Sequence, residues 1–109
     1  MFLQDIEALG LTEKESKLYL TSLRVGPASM QVLARKANID RGTAYHVAQT
    51  LENKGLFTVV ANGTRPSFRA SHPDKLHAYV VAQKEEADQH FHAMETVLSD
   101  LVELYEVGA

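Results

Sequence analysis

The sequence of 109 residues predicts a mainly α-helical fold with a small β-hairpin, on three observations. Two short apolar-periodic segments, residues 30–37 and 41–54, flank the break Asn38-Ile39-Asp40. Two β-rich runs, Leu56–Ala61 and Arg65–Ala70, surround Asn62-Gly63, the strongest short hairpin signal. From Pro73 to Val107 neither glycine nor proline interrupts the chain. Helix, turn, helix, ribbon is the layout of a winged helix-turn-helix, followed here by one long C-terminal helix. The expected division is a winged domain over residues 1–71 and a helix for dimerisation over residues 72–109.

Each element has its own local reason. Phe2–Leu9 carries Leu3, Ile6 and Leu9 on one helical face, with Gly10 placed to end it. Thr12-Glu13-Lys14-Glu15 has the capping-box form, and the helix it opens places Ser16, Leu18, Tyr19, Ser22 and Leu23 on a buried stripe before Gly26-Pro27. Ser29 caps the next helix, whose expected core residues are Val32, Leu33 and Ala37. Asp40 caps the second helix of the motif, which buries Ala44, Val47, Ala48 and Leu51 and stops at Gly55. Pro73 suits the first turn of the last helix, with Ser71 or His72 before it.

Composition excludes several classes. With no cysteine there is neither a disulfide nor a thiolate zinc site, and no apolar run approaches the ~20 residues of a membrane span. The amino terminus lacks the basic region and apolar core of a signal peptide, so a cytoplasmic protein is expected. The net charge is −3, but its distribution is uneven. Residues 27–70 carry six Lys or Arg against Asp40 and Glu52, a balance of +4, whereas residues 71–109 have a balance of −6. A basic face and an acidic tail follow, the former suited to a polyanion.

In the last helix Leu76, Val80, Gln83, Ala87, His90, Met94, Val97, Leu101 and Leu104 recur at alternating spacings of four and three. Phe91, Leu98 and Tyr105 widen this heptad seam on one side. A helix of this length extends ~50 Å, too far for one small core to cover, so its stripe needs a partner. A second copy of the chain is the expected one.

The outward positions of the second motif helix are Arg41, Gly42, Thr43, Tyr45, His46, Gln49 and Asn53. Arg41 suits a bidentate bond to guanine or a phosphate contact, Thr43 a thymine methyl or phosphate, and Gln49 adenine. Gly42 allows close approach to the groove, and His46 offers a polar contact. Tyr45 has two open readings, a hydroxyl on phosphate or a ring packed against the second helix. Ser29, Thr64 and Arg65 complete the expected DNA surface, Arg65 as the wing's phosphate or minor-groove contact. Arg69 lies deeper in its strand and is placed either there or in an ion pair. Glu86/His90 and Asp88/His92 share helix faces, but no third ligand converges on them, so no metal or other cofactor is expected. Neither a nucleophile–base pair nor a phosphate-cradling glycine loop is present, so an enzyme is not expected.

The run Gly10-Leu-Thr-Glu-Lys-Glu-Ser-Lys-Leu-Tyr19, then Gly26-Pro27-Ala28, then Ala37-Asn-Ile-Asp-Arg41 through Leu51-Glu-Asn-Lys-Gly-Leu56, resembles the amino-terminal domain of TrmB-type transcriptional regulators. The passage Phe68–Pro73 into a helix is similar as well. The resemblance implies a cytoplasmic, usually dimeric regulator that binds double-stranded DNA. Many such regulators carry an effector-binding domain after the helix, whereas this sequence ends at Ala109, so sugar sensing is not carried over and any effector is left open. The competing expectation is a winged-helix module that binds protein through its acidic helix.

Overall fold

A computed structural model describes residues 2–62 and 65–108. The elements are α1 (Leu3–Glu7), α2 (Glu13–Val25), α3 (Met30–Ala37), α4 (Arg41–Asn53), β1 (Phe57–Asn62), β2 (Arg65–Ala70) and α5 (Pro73–Gly108). They form two compact units, one through Tyr79 and the other from Val80 onward.

Caps set the helix starts in the first unit. Thr12 Oγ1 accepts the Glu15 N–H at 3.1 Å while Glu15 Oε1 accepts the Thr12 N–H at 2.9 Å, a complete capping box. Ser29 Oγ accepts from Val32 N, and Asp40 Oδ2 accepts from Gly42 N and Thr43 N. Between α3 and α4 the chain reverses through Asn38, which holds the left-handed conformation at φ 57°. Asparagine tolerates that region better than most residues, so the turn needs no glycine. After α4, Gly55 at φ 78° lets the chain turn sharply into β1. At the head of α5, His72 Nδ1 accepts the Asp74 N–H at 3.1 Å.

Helices α2, α3 and α4 close on a core of Leu18, Tyr19, Leu33, Ala34, Ala44 and Leu51, to which Leu56, Phe57, Ala70 and Leu76 add. Three buried positions on α2 are polar and each has a reason. Ser16 donates to the Thr12 carbonyl, Ser22 Oγ accepts the Ala70 N–H at 2.8 Å, and Glu15 bonds across to α4. Ser22 thereby ties the end of β2 to α2. The Tyr19 hydroxyl is buried without a protein partner among the described residues, and burial raises its pKa.

Strands β1 and β2 pair antiparallel from Phe57↔Ala70 to Asn62↔Arg65. Ala28 adds one bridge on the other edge of β2, exchanging both backbone bonds with Phe68 at 3.2 and 2.8 Å. Gly63 of the expected turn and Thr64 of the expected DNA surface lie outside the described residues.

Several expected core positions differ. Leu23 is 43% exposed, because the inward face of α2 is taken by residues 15, 16, 18, 19, 20 and 22. Val32 is half-buried, while Met30 and Ala34 face the core instead. In α1, Ile6 packs on the core but Leu9 lies beyond the helix end and is exposed.

In the second unit α5 continues to Gly108, and Phe91, Met94, Leu98, Leu101 and Tyr105 are all exposed. His90 is likewise exposed, its Nε2 3.9 Å from Glu86 one turn earlier. No helix among the described residues is long and apolar enough to cross a membrane.

Candidate nucleic-acid interface

The outer face of α4 begins at its cap. Asp40 Oδ2 accepts the N–H groups of Gly42 and Thr43, the second and third residues of the helix, and Arg41, the first, is exposed. A Cβ at Gly42 would meet Asp40 Oδ2 at 3.3 Å, so glycine there keeps the cap uncrowded. Arg41, Gly42, Tyr45, His46 and Gln49 are exposed and form a ridge along the helix. Thr43 is half-buried on its flank. The Gln49 side-chain amide donates to Asn53 Oδ1 at 3.2 Å, an exposed bond.

A hollow of about 390 Å³ lies on one side of this ridge, lined by Ser29, Met30, Gln31, Arg41, Tyr45, Arg65 and Pro66. Four of the residues expected to touch DNA, Ser29, Arg41, Tyr45 and Arg65, thus share one concave surface. They come from the start of α3, the start of α4 and the wing. Tyr45 is the hinge of the arrangement. Its ring meets Phe68 of β2 edge-on at 6.0 Å, and the Arg41 guanidinium lies 5.9 Å from its centroid. The packing reading for Tyr45 places its ring against the second helix; the ring instead meets Phe68 of the wing strand. The ring remains 43% exposed, so it also forms part of the surface.

On the other side of the ridge lies a groove of about 830 Å³ between α4 and the first turns of α2. Thr43 and His46 line it with Lys14, Lys17 and the Asn38–Ile39 turn. At its floor is a tie that local sequence reading misses. Glu15 Oε2 accepts from the Thr50 hydroxyl at 2.7 Å, and both of its oxygens accept from Lys54 Nζ, at 3.0 and 2.9 Å. Burial pushes the Glu15 carboxyl up, but the Thr12 N–H, the Lys54 ammonium and the Thr50 hydroxyl outweigh it and hold the pKa below the ordinary value. Lys54 also lies 5.8 Å from the Tyr79 ring centroid. Glu15 at the third position of a capping box is the only local hint; its partners lie 35 and 39 residues away.

The cations of this unit are largely uncommitted. Among the described residues Arg35, Lys36, Arg41, Arg65 and Arg69 pair with no carboxylate, whereas Lys17 and Lys54 do. Arg69, for which an ion pair was one expectation, lines a separate hollow with Ser22, Gly26 and His72.

A three-helix core, a helix-turn-helix and a two-stranded wing together define a winged helix-turn-helix. The chain belongs to the TrmB family: the family described as sugar-specific transcriptional regulator TrmB matches residues 6–74. It is 32% identical over 72 residues to the HTH-type sugar sensing transcriptional regulator TrmBL1 of Pyrococcus furiosus, covering 66% of this chain and 21% of that one. Among solved structures it resembles TrmBL2, an archaeal chromatin protein, with TM-score 0.77 and 24% identity over 94% of this chain and 39% of that one. A possible transcriptional regulator from Methanosarcina mazei matches 88% of both chains with TM-score 0.67 and 13% identity. The homodimeric winged helix-turn-helix DNA-binding domain of Mb0332 from Mycobacterium bovis gives TM-score 0.55 and 19% identity, over 81% of this chain and 80% of that one. These structural likenesses carry the fold. The chain spans about a fifth of the length of TrmBL1 and two-fifths of TrmBL2.

Proposed function

We propose that this chain binds double-stranded DNA sequence-specifically as a homodimeric transcriptional regulator of the cytoplasm. Helix α4 enters the major groove, with Arg41, Tyr45, His46 and Gln49 toward the bases and backbone. The wing places Arg65 on the flanking backbone or minor groove. The observation that carries this reading is the convergence of Ser29, Arg41, Tyr45 and Arg65 on one concave surface, whose two arginines pair with no carboxylate among the described residues. The family supports it, and the exposed apolar stripe of α5 supports self-association.

A second reading, a module that binds protein without DNA, is favoured by the −6 balance of residues 71–109 on an exposed helix. Titration of the protein against mixed-sequence and genomic duplexes at several salt concentrations separates the two. A DNA binder loses affinity steeply with salt as phosphate contacts release counterions. The absence of any salt-dependent duplex binding would leave the protein-binding module standing.

A further inference from the structure

The second unit has an apolar face that is directional as well as exposed. With Val80 at heptad position a, the a column continues through Ala87, Met94 and Leu101, and the d column through Gln83, His90, Val97 and Leu104. The two columns that flank such a seam differ in chemistry. The e column runs Lys84, Phe91, Leu98 and Tyr105, whereas the g column runs Glu86, Ala93, Asp100 and Val107. Phe91, Leu98 and Tyr105 are 67%, 49% and 79% exposed, so whatever covers the seam must also cover e.

Resting on the homodimer reading above, we infer that this unit pairs with a second copy of itself antiparallel, centred between Glu95 and Thr96. In a parallel pair the e residues of one helix face the g residues of the other. Phe91 then meets the partner's Glu86 and Tyr105 meets the partner's Asp100, apolar rings against carboxylates. In an antiparallel pair e faces e and g faces g. Phe91 then packs on the partner's Leu98, twice by symmetry, and Lys84 meets the partner's Tyr105, a cation over an aromatic ring.

The core layers support the same order. An in-register parallel pair stacks Ala87 on the partner's Ala87, leaving a gap, and sets two imidazoles of His90 against each other. The antiparallel centre pairs small with large, Ala87 with the partner's Leu104, and puts His90 beside the partner's Leu101. Interiors favour such even filling over alternating gaps and crowding. The overlap includes residues 83–108, which is nearly the whole second unit.

The absence of cysteine makes the test direct, since one introduced thiol is the only labelling site. A nitroxide on Ala82→Cys, in an exposed position off the seam, reports the pairing by pulsed electron spin resonance in the full chain. The antiparallel pair sets the two labels 27 residues apart along the axis, so one distance near ~40 Å is expected at 1.5 Å per residue. A parallel pair gives a distance below ~20 Å, since paired helix axes lie about 8–10 Å apart. A short distance, or a mixture of the two, overturns the antiparallel assignment while leaving the dimer intact. Sedimentation of the unlabelled chain as a monomer would instead remove the homodimer reading itself. Phe91→Lys supplies a second readout with opposite signs. Facing the partner's Leu98 it raises the dimer dissociation constant at least about ten-fold, as expected for a charge in an apolar contact. An unchanged or lowered constant, the result of facing the partner's Glu86, overturns the inference.

Discussion

Glu15 uses one carboxylate for two purposes, closing the cap of α2 and holding the far end of α4 through Thr50 and Lys54. Its pKa lies below the ordinary value, so by linkage its stabilisation is present above about 4.3 and is lost as pH falls through the folded value. Glu15→Gln keeps the size and the acceptor but removes the charge facing Lys54. It is expected to lower stability by about 1.5–3 kcal/mol at neutral pH, the range for hydrogen bonds to charged groups. The deficit should shrink as pH drops below ~4. Denaturant unfolding of both proteins at the two pH values checks this; a deficit independent of pH would mean that the charge contributes nothing. Arg41 acts at the same scale on a different property. Arg41→Ala removes an exposed side chain with no carboxylate partner among the described residues, so thermal stability should stay within about 0.5 kcal/mol. Sequence discrimination should fall by about 1–3 kcal/mol, as competition between operator and random duplex would show.

Among elements, the wing depends on two anchors, Ser22 of α2 bonded to Ala70 and the Ala28 bridge to Phe68. Arg65 at the start of β2 is exposed, so Arg65→Ala should leave these anchors intact. It should weaken binding to all duplexes alike and lower the salt slope by about one unit. A slope and affinity equal to the parent protein's would place the wing away from DNA. The elements themselves were legible because their signals are local. Thr12 with Glu15, Ser29, Asp40, Gly55 and Pro73 mark ends within a few residues of where they occur. What was not legible depends on contacts distant in sequence. The Glu15–Lys54 tie, the Ala28–Phe68 bridge and the packing of Tyr45 on Phe68 each join residues more than twenty positions apart. Leu23 illustrates the limit of a helical stripe, since periodicity alone does not say that Ser22 takes the inward place by bonding Ala70.

At the scale of the whole molecule the first unit is basic over residues 27–70, and the exposed helix of the second is acidic. Leu101 is 45% exposed in the single chain and lies mid-seam, so Leu101→Asp should separate the proposed dimer into monomers at micromolar concentration. Sedimentation velocity reads the mass, and a species matching the parent protein would assign α5 another role. Duplex affinity should fall with it, since each half-site is then held alone. The exposure of Arg41, Tyr45, His46 and Gln49 was legible from helical periodicity; the gathering of Arg41 and Tyr45 into one hollow with Arg65 was not, because it depends on how the hairpin folds back beside α4. That packing has a consequence for engineering. Tyr45 rests its ring edge-on against Phe68, so the outer face of α4 and the wing strand share a contact at position 45. A helix grafted from a relative would bring a side chain at position 45 fitted to some other strand, and its tilt would drift. On the proposed reading the cassette to transfer is α4 together with β2, and swaps that exchange the helix alone should give hybrid preferences belonging to neither parent.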